Sequence, residues 1–221
     1  MSFLQGINDS VVRSGTVLWK TIKSVYGDLF PYVWMSVLWW VGTLTVILAP
    51  LAHTAMHRVA HRTATYRRID SDFFYEGLRM HKGLAYLMYW GNFLGSVVIV
   101  VSIWFYGNIQ SPFVQLLVIP LIWVAFLFLL VTQFVFPLLW EQEDVSLALI
   151  YKNALILVLQ HPLFCVLVTL FKITILFLFS LPAFIPLLLF GPAFSTVLSN
   201  YALNYLLIKV ELAPPPPSWA D

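Results

Sequence analysis

Lys172 is the residue whose setting most invites a chemical role. It lies about nine residues into an apolar run, residues 163–183. An ammonium in hydrocarbon costs several kcal/mol unless it pairs, meets water or reaches an interface. A lysine there is a functional candidate by default. The plainer alternative is that its four-carbon stem snorkels toward the headgroups. No acid sits at comparable depth in any apolar run, and Asn92 and Gln133 are the nearest neutral partners. His53, His57 and His61 recur at intervals of four, which stacks three imidazoles on one helix face. Neighbouring pairs have the spacing to chelate a divalent metal. The outer two stand two turns apart, about 11 Å, and cannot share one ion. Arg58 and Arg62 add positive charge beside them, and no HExxH glutamate accompanies them. The expected role is a polar stripe meeting lipid phosphates, and no residue is assigned to a metal, a cofactor or catalysis. Gly91 and Gly95 form a GxxxG whose small residues let helix backbones approach within a bundle or a dimer. Nothing resembles a nucleophile elbow, a paired-carboxylate site or a phosphate-cradling glycine loop.

The elements that must position these residues follow from composition. Of 221 residues, 61% are hydrophobic and 10% charged, against about 25% charged in soluble domains. The exterior of such a chain needs lipid as its solvent. A net charge of +2 does not favour nucleic acid as a partner. The single cysteine, Cys165, permits no internal disulfide and reads as a packed small residue. A bilayer-crossing helix needs about 20 mostly apolar residues. Five stretches qualify: 29–52, 84–106, 113–140, 163–183 and 184–208. The last two adjoin at Pro182, so with Pro186 and Pro192 they form either a hairpin or one broken helix. The predicted fold is all-α, a polytopic transmembrane bundle of about five spans with short interfacial helices.

Residues 1–28 form an N-terminal interfacial segment, amphipathic over 10–27, and 29–210 form the transmembrane domain. With no apolar signal core before Lys23, the first span is expected to act as the targeting signal. Asp70, Ser71 and Asp72 offer N-caps for a short helix reaching Lys82, whose Phe73, Phe74, Leu78 and Met80 dip into the headgroups. Residues 145–160 predict a helix buried against the bundle or lying at the interface. Glu141, Glu143 and Asp144 read as a solvated charge run. Residues 211–221 form a proline-rich tail, solvated and polyproline II over Pro214 to Pro217. Basic residues concentrate in the first loop, Arg58 to Lys82, which places that loop and the C-terminus in the cytoplasm. Five spans then put the N-terminus outside, with Arg13, Lys20 and Lys23 on the disfavoured side. The expected location is the cell membrane, multi-pass.

Three segments resemble the YesL-like family of bacterial membrane proteins of uncharacterised function. Thr43 to Met56, containing Ala49–Pro50, is similar to a span ending in a Gly-Pro-small stretch. Ser71 to Arg79 is similar to the aromatic–basic helix after it, and Tyr151 to Leu155 to a Lys-Asn-Ala element. The order and spacing fit across roughly 25–210. Ala49 stands where glycine is usual, and the histidine stripe is not part of that pattern. The resemblance implies a bundle of this size and a link to carbohydrate uptake, and it supplies no catalytic residue.

The leading expectation is a non-enzymatic accessory or assembly component. Its partners are the bilayer and other membrane subunits or a second copy of the chain. The alternative is a small oligomeric transporter or channel, with Lys172 and the 182–192 region lining the pathway. A third reading is an intramembrane metalloenzyme using His53 and His57, with His61 nearby.

Overall fold

The computed structural model describes residues 3–142 and 145–217, so Glu143, Asp144 and the last four tail residues lie outside it. The described residues form ten helices and no strand. Four segments are long and apolar enough to cross a bilayer: Lys82–Asn108, Phe113–Glu141, Pro162–Ser180 and Ile185–Lys209. They correspond to α5 (Lys82–Asn108), α6 with α7 (Pro112–Gln115 and Val118–Glu141), α9 (Pro162–Ser180) and α10 (Ile185–Lys209). These are the last four expected spans. The step between α6 and α7 at Leu116 and Leu117 follows from Pro120. Its ring displaces the carbonyl four residues earlier, that of Leu116, and offers it no N–H.

The first expected span, 29–52, is corrected. The chain forms α2 (Leu29–Leu44), turns through Thr45 to Leu48 and doubles back as α3 (Ala49–Ala64). Pro50 opens α3. The carbonyl its ring would crowd is that of Val46, which has left the helix at φ 60°. Each helix is about 24 Å long at 1.5 Å per residue, short of the roughly 30 Å hydrocarbon layer. The pair is therefore a helical hairpin, neither arm of which is long enough to cross. It closes tightly, because a Cβ on Gly42 would lie 2.6 Å from that of Ala52. Its tip exposes Leu44, Val46, Ile47 and Leu48, an apolar surface suited to lipid, so its backbone groups need partners within the protein. Thr45 Oγ1 donates to the Gly42 carbonyl and accepts from the Leu48 N–H. The Tyr86 hydroxyl donates to the Ile47 carbonyl at 2.7 Å.

The hairpin returns the chain to one end of the bundle, where the cations gather. The N-terminal helix α1 (Phe3–Gly27) lies against α9 and α10. There Asp9 pairs with Lys209 at 3.7 Å, Lys20 donates to the Tyr66 hydroxyl, and Ser24 meets the Tyr201 hydroxyl. The start of α1 and the end of α10 thus meet at the same end of the bundle. The physical reason is that α2 and α3 add a return trip, not a crossing. Of the 12 lysines and arginines, only Lys172 lies deep within a spanning helix.

At the basic end, α4 (Ser71–Arg79) packs on α3. A Cβ on Gly77 would lie 2.6 Å from Ala55 Cα, and Arg58 bonds Glu76 at 2.7 Å. The helix stops at Arg79, and Lys82 opens α5 instead. Phe74 is buried in the core, not dipped into headgroups. α8 (Leu147–Gln160) packs on α7 and α9, with Ser146 as N-cap accepting from the Leu149 N–H. Pro214 to Pro217 share a cleft with His61, Thr65 and Arg67, so this stretch lies beside the bundle. Cys165 is fully buried, as expected.

Residues 163–208 are two spans joined by a turn in which Ala183 and Phe184 take left-handed backbone, φ 51° and 60°. The reading of 182–192 as a broken helix is corrected: α10 runs unbroken through Pro192. Proline leaves the Leu188 carbonyl without its helical donor, and Trp40 Nε1 donates to that carbonyl at 2.9 Å. The GxxxG pair is divided. Gly95 faces Phe128 of α7, whose ring a Cβ would approach to 2.9 Å, while Gly91 faces open space.

Candidate functional site

A cavity of about 360 Å³ lies between α3, α5, α7, α9 and α10. Lys172 enters it from α9, about 15 Å along that helix from Pro162 at 1.5 Å per residue. Its Nζ donates to Ser199 Oγ of α10 at 2.8 Å, and Ser199 donates onward to the Ser195 carbonyl. The lysine is therefore held inward at mid-depth and does not snorkel to either end. No carboxylate among the described residues lines the cavity.

Two of the three histidines line the same space. His53 and His57 have ring centroids 4.9 Å apart, and both lean on Phe136, His53 edge-on at 4.5 Å and His57 stacked at 5.5 Å. Asn200 Nδ2 lies 3.0 Å from His57 Nδ1. With the amide donating, that ring carries its proton on Nε2. His53 Nδ1 is buried without a hydrogen-bond partner, and His53 also borders a second cavity of about 200 Å³ beside Trp39 and Pro192.

His61 stands apart at the basic end, with Nδ1 3.2 Å from the Glu141 carboxylate. Burial, then the charges of Arg58, Arg67 and Arg62, push its pKa down to about 4. At neutral pH the ring is uncharged, so the Glu141 contact is an N–H to carboxylate interaction and not an ion pair. The single lipid-facing stripe is thereby corrected. α3 is packed against α2, α4, α5, α7 and α10, which turns its imidazoles into the protein. Glu141, too, is half-buried against His61 and not part of a free solvated run. Among the described residues no group of three His, Cys, Asp or Glu side chains is arranged to hold a metal.

The cavity also contains groups that sequence reasoning passed over. Thr169 Oγ1 shares its hydrogen between the Cys165 carbonyl at 2.8 Å and Gln133 Oε1 at 3.1 Å, and the buried Gln133 Nε2 has no hydrogen-bond partner. The Tyr151 hydroxyl donates to Asn92 Oδ1 at 2.5 Å, a side-chain link between α8 and α5. Asn92 and Gln133 were visible as possible partners of Lys172, yet neither is the one that binds it. Ser195 and Ser199 carry a signal that was available, two hydroxyls one turn apart in an apolar run. Thr169 sits three residues before Lys172, on the same helix face.

The lining therefore combines one ammonium, an unpartnered amide donor and several hydroxyls in a low-dielectric setting. Such a setting strengthens attraction for negative charge. Among the described residues, the hydrogen bond to a histidine there comes from the Asn200 amide and not from a hydroxyl or thiol. Fold and cavity together define a polytopic helical membrane protein with a donor-rich chamber at mid-depth. Compared with protein-family models, curated proteins and solved structures, the chain matches none.

Proposed function

We propose that this chain is a non-enzymatic membrane protein that binds a small anionic ligand in its central chamber, as a carrier does. One observation carries the reading: Lys172 sits at mid-depth with a single hydroxyl for its hydrogen bond and no carboxylate in the lining. An ammonium so placed is a functional group by default, and a bound anion supplies the missing counter-charge. Gln133 Nε2 offers it a second donor. The test is thermal unfolding in mild detergent with phosphate, sulfate, short carboxylates, and longer-chain alkyl phosphates, alkyl sulfates and carboxylates. A ligand at 100 times its Kd stabilises by about 2.7 kcal/mol. Lys172→Leu is expected to abolish the shift while leaving insertion intact. If no anion shifts the wild type, the reading fails.

Orientation belongs to the same proposal. The basic end faces the cytoplasm under the positive-inside bias, and both termini lie there. The YesL-like resemblance supports a second reading, an accessory subunit beside a permease for carbohydrate. Its structural support is the outer half of α5 and α7, where Val98, Trp104, Ile122 and Trp123 are exposed, offering an apolar flank to another subunit or a second copy. Purification from the native membrane tests it, and a solitary monomer counts against it.

A further inference from the structure

We infer that the ligand is the anionic head of a membrane amphiphile, which enters the chamber sideways between α5, α7 and α9. This rests on the anion-binding reading above and names its ligand class. The argument starts from where the chamber opens. Its exposed lining residues are Phe93 and Ser96 of α5, Leu129 of α7 and Ile173 of α9, the three apolar ones at 53%, 47% and 52% exposure. Counted from the helix ends at the basic side, each of those three lies about 16 to 18 Å along its helix at 1.5 Å per residue. The hydrocarbon layer is roughly 30 Å thick, so this mouth faces acyl chains near the middle of the bilayer.

Toward the basic end the route is closed, because Val59, Phe136, Leu139 and Leu203 are all buried in the core. A dissolved ion would have to cross hydrocarbon to reach the mouth. An amphiphile has no such difficulty, since its tail stays in lipid while its head turns inward. The rim suits that division of labour: Phe93, Leu129 and Ile173 are apolar, Ser96 with its hydroxyl turned to the Asn92 carbonyl is the one polar exposed member among the described lining residues, and Lys172, Gln133 and Ser199 are less exposed. A phosphate or carboxylate head satisfies the ammonium and the unpartnered Gln133 amide together.

Dodecyl phosphate and inorganic phosphate separate a lipid source from an aqueous one, and dodecanol supplies the tail without the charge. Each is titrated against the purified full chain in a non-ionic detergent, reading the midpoint of thermal unfolding. Dodecyl phosphate is expected to raise the midpoint, with no shift from the other two at equal concentration. Lys172→Gln should weaken the response about tenfold or more, as loss of a charged hydrogen bond does. Ile173→Trp, which narrows the mouth and leaves the lysine in place, should weaken it as well, and decides the matter if Lys172→Gln does not fold. Inorganic phosphate acting as strongly as dodecyl phosphate overturns sideways entry and leaves the anion site standing. Dodecanol acting as strongly, or no response to any probe, overturns both. An unchanged dodecyl phosphate response in Ile173→Trp overturns entry at this mouth.

Discussion

Lys172 and His61 show two ways of keeping a basic side chain out of water. Lys172 is held by a hydroxyl beside an open chamber, whereas His61 is kept neutral. Its folded pKa of about 4 lies below the ordinary histidine value near 6.5. The unfolded chain therefore takes up this proton first as pH falls. The stability tied to a neutral His61 is complete above about pH 6.5 and is lost as pH drops toward 4, at most about 3 kcal/mol. Denaturation in detergent from pH 7.5 to 4.5 should show a slope of this sign, and His61→Gln should reduce it by the share of one histidine. The importance of Lys172 was legible in the sequence, because charge in an apolar run is conspicuous. Its partner was not, since Ser199 lies 27 residues away on another helix. The histidine spacing was legible too, but spacing names a face without saying what covers it.

Among the helices, α10 depends on an arrangement that hydropathy does not encode. Trp40 donates to the carbonyl that Pro192 leaves open, and an unmade bond of this kind in an apolar setting costs about 1–3 kcal/mol. Trp40→Phe should destabilise by about that amount. Pro192→Ala restores a helical N–H for Leu188, so the same Trp40→Phe change should cost less in that background. A double-mutant cycle by thermal unfolding measures the difference, and strict additivity would contradict the arrangement. The four crossing segments were readable from apolar length alone. The break after α2 was not, because residues 29–52 are apolar throughout and the steric effect of Pro50 acts four residues upstream, at Val46. Likewise Pro192 looked like a helix breaker, and it is harmless only because a tryptophan from α2 reaches its orphaned carbonyl.

Over the whole molecule, the return of α3 removes a difficulty in the charge count. With α1 beside α10, Arg13, Lys20 and Lys23 join the first-loop cations at one end. Single cysteines at Thr16 and Leu212, both exposed, test this placement, since native Cys165 is buried. An impermeant maleimide applied to intact cells should label neither site, and both should react after permeabilisation. Labelling of only one would contradict a shared side. The hairpin of α2 and α3 also has a consequence for biosynthesis. Trp40 leaves the ribosome 148 residues before the carbonyl it serves, and Tyr86, which bonds the hairpin tip, also follows later. Until those segments arrive, the earliest-made membrane portion has no finished lodging in the bilayer. The nascent chain must shelter it, and a transcript truncated before α10 should yield a product cleared by quality-control proteases.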